Sequence, residues 1–77
     1  MEITVSFFGP VRRPWPESSR QLEVSEGSTI QFLMEGLGFE ASDLKRMAAV
    51  IGGKRRPPSA LLKNGDHLQF VLMAGGG

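Results

Sequence analysis

Hydrophobic and polar residues alternate over several short stretches of the chain, the period expected of β-strands that bury one face. In the first stretch, residues 2–8, the side chains of Ile3, Val5 and Phe7 fall on one face and that of Phe8 on the other. A short apolar run at residues 47–51 also predicts a strand. Four strands are therefore predicted, over residues 2–8, 20–25, 47–51 and 68–73.

A helix is predicted between the second and third strands, where the spacing of apolar residues changes to a helical period. Ser28 is a good N-cap, and Gln31 follows three residues later, as a capping box requires. Two glycines, Gly36 and Gly38, are expected to end the helix, one of them in the left-handed conformation. The predicted buried face consists of Ile30, Leu33, Met34 and Leu37.

The remaining segments are predicted to be loops and turns. Residues 9–19 hold three of the five prolines together with Trp15 and predict a long loop. A second short helical turn, capped by Ser42, is expected within residues 41–47. Residues 54–58 are predicted to form a basic loop, and residues 64–66, Asn-Gly-Asp, a tight turn.

The order strand, strand, helix, strand, strand predicts an α+β fold. In this arrangement one main helix packs on one face of a four-stranded mixed sheet. No linker or internal repeat divides the chain, so residues 1–77 are expected to form a single domain. Residues 74–77, alanine followed by three glycines, are expected to leave the fold as a flexible tail.

Composition narrows the chemistry that this domain can perform. The chain has no cysteine and one histidine, His67, which excludes disulfides, thiolate nucleophiles and multi-histidine metal sites. Its net charge of +1 argues against a general nucleic-acid binder. No apolar run approaches the roughly 20 residues of a membrane span, and residues 1–3 lack the order of a signal peptide. We therefore expect a cytoplasmic protein without nucleic-acid or membrane partners.

Four segments together resemble a known family. They are the first strand with its aromatic end and following Arg (residues 3–12), the helix entry (residues 26–30), the turn before the last strand (residues 62–68) and the glycines at the end. These segments are similar to those of the small sulfur-carrier proteins of the MoaD/ThiS family. The resemblance spans nearly the whole chain and implies the ubiquitin-like β-grasp fold.

The resemblance implies that the reactive group is the main-chain carboxylate of Gly77, preceded by Gly76. In this family a ubiquitin-activating-type adenylating enzyme uses ATP to activate the carboxylate, and sulfur then replaces the activated oxygen. The thiocarboxylate is delivered to a large catalytic subunit or to a thiazole synthase. The chain itself would bind no cofactor or metal and would not turn over alone, so we expect a carrier rather than an enzyme.

Strand alternation suggests where partners would dock. If Phe7 faces the helix, Phe8, Val71 and Met73 lie on the opposite face of the sheet, near the tail and Gly75. This predicts an exposed apolar patch, unless the loop around Trp15 covers that face. Two further candidates for meeting acidic groups of a partner are Arg55 and Arg56. A solvated loop is the alternative for this basic pair.

Several functions remain open at this point. The first strand and long loop favour the small subunit of molybdopterin synthase, with the thiamine-thiazole carrier second. The segment 71–74 departs from the Pro-containing segment usual before the final Gly-Gly, and Gly75 is an extra glycine. A ubiquitin-like protein modifier would use the same terminus, and a β-grasp module binding RNA or protein would not use it. Taken alone, a glycine-rich end is typical of a frayed terminus.

Overall fold

The computed structural model describes residues 1–9 and 15–72, and these contain five strands and two short helices. The strands form one mixed sheet in the order β2-β1-β5-β3-β4. In chain order the elements are β1 (Glu2–Phe8), β2 (Ser19–Glu23), α1 (Ile30–Gly36), α2 (Ala41–Arg46), β3 (Met47–Ile51), β4 (Lys54–Arg56) and β5 (His67–Leu72).

The centre of the sheet is a parallel pair formed by the first and last strands. Val5 lies opposite Leu68, and Phe7 lies opposite Phe70. On the outer sides, β1 pairs antiparallel with β2, and β5 pairs antiparallel with β3. The central pair therefore joins these two antiparallel pairs into one sheet.

The core lies between the sheet and α1, as the helical spacing predicts. Ile30, Leu33 and Met34 are buried on the sheet side of α1. The ring of Phe7 stacks on that of Phe70, with 5.4 Å between their centroids. A helix of seven residues is marginal by itself in water, so this packing is what stabilises α1. The largest side chains with almost no exposure are Phe70, Ile3, Ile30, Met34, Leu68 and Val5.

The tight turn predicted at residues 64–66 is confirmed, and it is bonded to the start of β1. Gly65 has a φ of 86°, which glycine adopts without a steric penalty. Its amide donates to the carbonyl of Glu2 at 2.7 Å, and the Glu2 amide donates to Oδ1 of Asn64 at 2.8 Å. The turn therefore holds the start of β5 beside the start of β1.

The prediction of four strands is wrong by one, because residues 54–56 form β4 and not a loop. Gly52 and Gly53 both have positive φ, 61° and 80°, as the two-residue turn of a tight hairpin requires. The turn folds Lys54–Arg56 back against β3, with Lys54 opposite Ile51. Three consecutive basic residues carry no alternation, so periodicity gives no signal for this strand.

The predicted capping box at Ser28 and Gln31 is also wrong, by one residue. Thr29 is the N-cap, and its Oγ1 accepts from the amide of Phe32 at 3.1 Å. The carbonyl of Ser28 accepts instead from the amide of Leu62 at 2.9 Å. The hydroxyl of Ser28 donates to the carbonyl of Ser25 at 2.6 Å, so the capping side chain is that of Thr29 and the Thr29 carbonyl accepts the first bond within the helix.

The second helix forms where expected, with a different cap. Its N-cap is Glu40 and not Ser42. Oδ2 of Asp43 accepts from the Glu40 amide at 2.9 Å, which satisfies a donor at the start of α2. This short helix leads directly into β3 and lies beside α1, so the two helices share one face of the sheet.

Gly36 and Gly38 provide a matched test of the helix end. Gly38 has a φ of 94°, whereas Gly36 is the last helical residue, and a Cβ at either position would meet no other atom within 4 Å. We expect Gly38→Ala to lower the free energy of unfolding by about 1–2 kcal/mol. Gly36→Ala should leave it unchanged or raise it by up to about 1 kcal/mol.

Chemical denaturation followed by the fluorescence of Trp15, the single tryptophan, would measure both variants. Equal losses of stability in the two variants would contradict the assignment of Gly38 as the left-handed residue that ends α1.

Candidate functional site

The face of the sheet opposite the helices, here called the open face, carries two exposed apolar side chains at one end. Phe8 lies opposite Val71 in the parallel pair, and their side chains are 47% and 41% exposed. Ala48 of β3 lies opposite Val71 on its other side. We call these three neighbouring residues on three strands the terminal patch.

The terminal patch lies where the last described strand ends. β5 runs to Leu72, one residue beyond Val71, so the last residue that the structure describes lies beside the patch. Leu72 turns its side chain to the opposite face, where it packs partly against the core. Any segment that follows β5 therefore starts at the edge of the patch.

The loop containing Trp15 could have covered the open face, but Trp15 lies on the other side of the sheet. Its ring meets the edge of Phe7 at a centroid distance of 5.7 Å, and Phe7 points into the core. The guanidinium of Arg20 lies 5.2 Å from the Trp15 ring centroid and covers it from outside. Trp15 thus extends the core and leaves Phe8 and Val71 exposed.

The other end of the open face is polar. Ser6 Oγ lies 2.7 Å from Nε2 of His67 and 3.0 Å from Oγ of Ser19. Ser6 is only 5% exposed, so its hydroxyl is engaged by neighbours and shielded from a substrate. The hydrogen bonds within residues 1–9 and 15–72 give His67 no carboxylate partner. The arrangement lacks the orienting acid of a catalytic triad and serves to join β1, β2 and β5.

Arg55 and Arg56 are neighbours in sequence but face opposite sides of the sheet. Arg55 pairs with Val50, whose register places it on the open face, whereas Arg56 pairs with Ala49 of the core face. Both are exposed. A flat partner surface that covers the open face would therefore meet Arg55 and leave Arg56 free.

The remaining predicted site residues lie outside the described part of the chain. They are Met73, Gly75, Gly76 and Gly77. Their roles therefore stay predictions, as do the docking roles of the residues that the structure does place.

Two further features of the described residues bear on the chemistry of the site. No group of three or more His, Cys, Asp or Glu side chains within residues 1–9 and 15–72 could hold a metal ion. No helix in the same part of the chain has the length and apolar character of a membrane span.

Comparison with known proteins gives the fold. SAMP1 from Haloferax volcanii superimposes with a TM-score of 0.74 at 12% identity, over 100% of both chains. A protein of Pyrococcus furiosus assigned as molybdopterin converting factor, subunit 1, superimposes with a TM-score of 0.73 at 17% identity. That likeness covers 92% of this chain and 95% of the other. The chain has the β-grasp fold.

The expected resemblance is thus confirmed at the level of the fold, with a fifth strand added. No protein-family model matches the sequence, and no curated protein matches it. Because identities of 12% and 17% show only a shared fold, function has to be argued from the site itself.

Neighbouring residues on opposite faces test the assignment of the open face. Phe7 is 3% exposed and Phe8 is 47% exposed. We expect Phe7→Leu to lower the free energy of unfolding by about 1–2 kcal/mol, because a cavity opens against Phe70. Phe8→Leu should change it by less than about 0.5 kcal/mol. Thermal unfolding of both variants would measure this, and equal destabilisation would refute the assignment.

Proposed function

We propose that this chain is a sulfur carrier protein that acts in the cytoplasm. Its Gly77 carboxylate is activated and converted to a thiocarboxylate, which then supplies sulfur in molybdopterin synthesis. The observation that carries the proposal is the terminal patch, an exposed apolar surface beside the point where β5 leads into residues 73–77. The fold shared with a protein assigned as molybdopterin converting factor, subunit 1, supports the choice of pathway.

The proposed chemistry takes place in two steps on the terminal acyl group. A carboxylate oxygen of Gly77 attacks the α-phosphorus of ATP, and pyrophosphate leaves to give an acyl-adenylate. A sulfide equivalent from a sulfur donor then attacks the acyl carbon, and AMP leaves with the activated oxygen. A carboxylate is a poor electrophile at neutral pH because it is ionised, which is why the adenylate is needed.

The glycines of the tail suit a terminus that must enter a narrow channel in a partner. Without a Cβ, Gly75, Gly76 and Gly77 have access to backbone angles closed to other residues and take up the least space. Fixing each residue in the channel costs about 1–2 kcal/mol of conformational entropy. Docking of the folded domain has to offset that cost, and the terminal patch provides apolar area to do so.

Two successive partners follow from this proposal. A ubiquitin-activating-type adenylating enzyme holds ATP and activates the tail, and a large catalytic subunit then receives the sulfur. Both have to bind next to the tail, so we expect both to cover Phe8 and Val71 and to exclude each other. Arg55, on the same face, is placed to meet acidic groups at the rim of either partner.

Intact-mass spectrometry tests the carrier function. We expect incubation with the adenylating enzyme, ATP and a sulfide source to replace one oxygen of the protein by sulfur. Deletion of Gly76 and Gly77 should abolish the change in mass without altering unfolding. If the full chain never gains sulfur with enzyme and ATP, the carrier function is wrong.

The role of the terminal patch has its own matched test. Phe8 and Phe32 are both exposed phenylalanines, but Phe32 lies on α1 and is 65% exposed. We expect Phe8→Asp to slow adenylation about tenfold or more, since a charge would be buried in the interface. Phe32→Asp should change the rate less than about twofold, as measured by pyrophosphate release. Equal effects would contradict docking through the patch.

A second candidate is a protein modifier, in which the activated Gly77 forms an isopeptide bond with a lysine. It is favoured by the full-length structural match to the ubiquitin-like protein SAMP1. High-molecular-weight conjugates in cells, lost with the two terminal glycines, would identify this function. A role in thiamine synthesis is a further alternative, in which the same thiocarboxylate gives its sulfur to thiazole synthase. Formation of the thiazole product in the presence of that enzyme would identify it.

A further inference from the structure

Charge is distributed unevenly along this nearly neutral chain. Six of the nine Lys and Arg residues lie within residues 44–65, and none of the eight Asp and Glu residues does. The rest of the chain is correspondingly acidic. In the fold, this basic stretch includes the end of α2, the β3–β4 hairpin and the segment that follows it.

A groove of about 750 Å³ opens in this basic region, on the helix side of the sheet. At its base lie Ile30, Met47 and Phe70, core residues that are 1%, 7% and 1% exposed, and its more accessible apolar lining comes from Leu44, Pro57 and Pro58. Leu44 and Lys45 of α2 line one wall, and residues 55–58 line the other, although the strand register turns the side chain of Arg55 towards the open face. We call this space the basic groove.

The fold explains why the groove remains open. The helix α1 is short and covers the central strands, whereas β3 and β4 extend the sheet to one side. The segment after β4 closes one end, because the amides of Ile30 and Gln31 donate to the carbonyls of Ala60 and Pro58 at 3.1 and 2.9 Å. β4 is an edge strand, so no further strand lies beyond it and the groove is accessible from that side.

The cations around the groove have no acidic partners within the described residues. The ion pairs found there join the N-terminus to Glu23 and Arg20 to Glu17, both elsewhere on the molecule. Lys45 and Arg56 both line the groove, and Arg56 shares the register of Ala49 on the helix side. Among the residues that the structure describes, no carboxylate lines the groove. The groove therefore combines an apolar lining with unneutralised positive charge at its rim.

We propose that the basic groove binds an acidic peptide segment of a partner protein, with an apolar side chain between the apolar walls and carboxylates at Lys45 and Arg56. Charge complementarity selects an anionic occupant. The accessible apolar lining of Leu44, Pro57 and Pro58 favours a peptide over nucleic acid, whose backbone would place phosphates throughout the contact. The groove lies on the face opposite the terminal patch, so both surfaces can be occupied at once.

Fluorescence anisotropy with labelled peptides tests the proposal on the full chain. We expect a peptide of alternating glutamate and valine to bind, and to bind less tightly as salt is raised. A polyglutamate peptide without apolar residues, and a lysine–valine peptide, should bind at least about tenfold more weakly, a difference of about 1.4 kcal/mol. Tighter binding of a single-stranded oligonucleotide than of the glutamate–valine peptide would overturn the proposal.

Charge reversal locates the binding site. We expect the double variant Lys45→Glu, Arg56→Glu to weaken binding of the glutamate–valine peptide about tenfold or more. The matched control is Lys63→Glu, a cation of the same basic stretch that does not line the groove and should change binding less than about twofold. Equal weakening by Lys63→Glu would show a diffuse charge effect and overturn the proposal.

Two further readouts keep the test specific. Ala41→Trp places a large side chain at the exposed rim of the groove. It should weaken binding of the peptide without changing the free energy of unfolding. Salt-sensitive self-association in sedimentation, abolished by Arg56→Glu, would assign the groove to a second copy of the chain and overturn the peptide proposal. None of these measurements requires ATP or an activating enzyme, so they stand apart from the carrier function.

Discussion

The parallel pairing of β1 with β5 is the interaction on which the rest of the structure depends. It stacks Phe7 on Phe70 at the centre of the core and joins the pair β2-β1 to the strands β5-β3-β4, which share no other strand pairing. Because side chains alternate along a strand, the same register that buries this ring pair places Phe8 beside Val71 on the other face. Core packing and the candidate docking surface are therefore set by one alignment, and neither can shift without the other.

Much of this fold could be predicted from local patterns. Alternation is enough to assign Phe7 to one face of the sheet and Phe8 and Val71 to the other. It says nothing about which strands are neighbours, and for that the sequence offers only the resemblance to a family with the β-grasp fold. Two errors share one physical cause. The N-cap is Thr29 because the Ser28 hydroxyl donates to the Ser25 carbonyl, and β4 forms because Gly52 and Gly53 turn it onto β3. Both features depend on contacts with other residues, and the spacing of hydrophobic residues along the chain does not reveal those contacts.

Only the part of the candidate site that lies on the paired strands β1 and β5, Phe8 and Val71, can be predicted from the sequence. The basic groove was missed, because its walls come from α2, β4 and the segment after β4, and its base from α1, β3 and β5. The excess of cations in residues 44–65 was the available signal, but charge along a chain does not show which side chains share a surface. Arg55 and Arg56 illustrate this, since adjacent residues of a strand face opposite sides.

Phe8 and Val71 lie near opposite ends of the chain and become one surface only when β1 and β5 pair. An unfolded chain carries the same terminal glycines but presents no such surface, and closing so long a loop is the slow part of folding a sheet of this kind. Under the proposed function, an activating enzyme that has to bind Phe8 and Val71 before it reaches the tail would therefore act only on folded copies of the chain. Misfolded copies would remain unmodified, although their terminal glycines are identical.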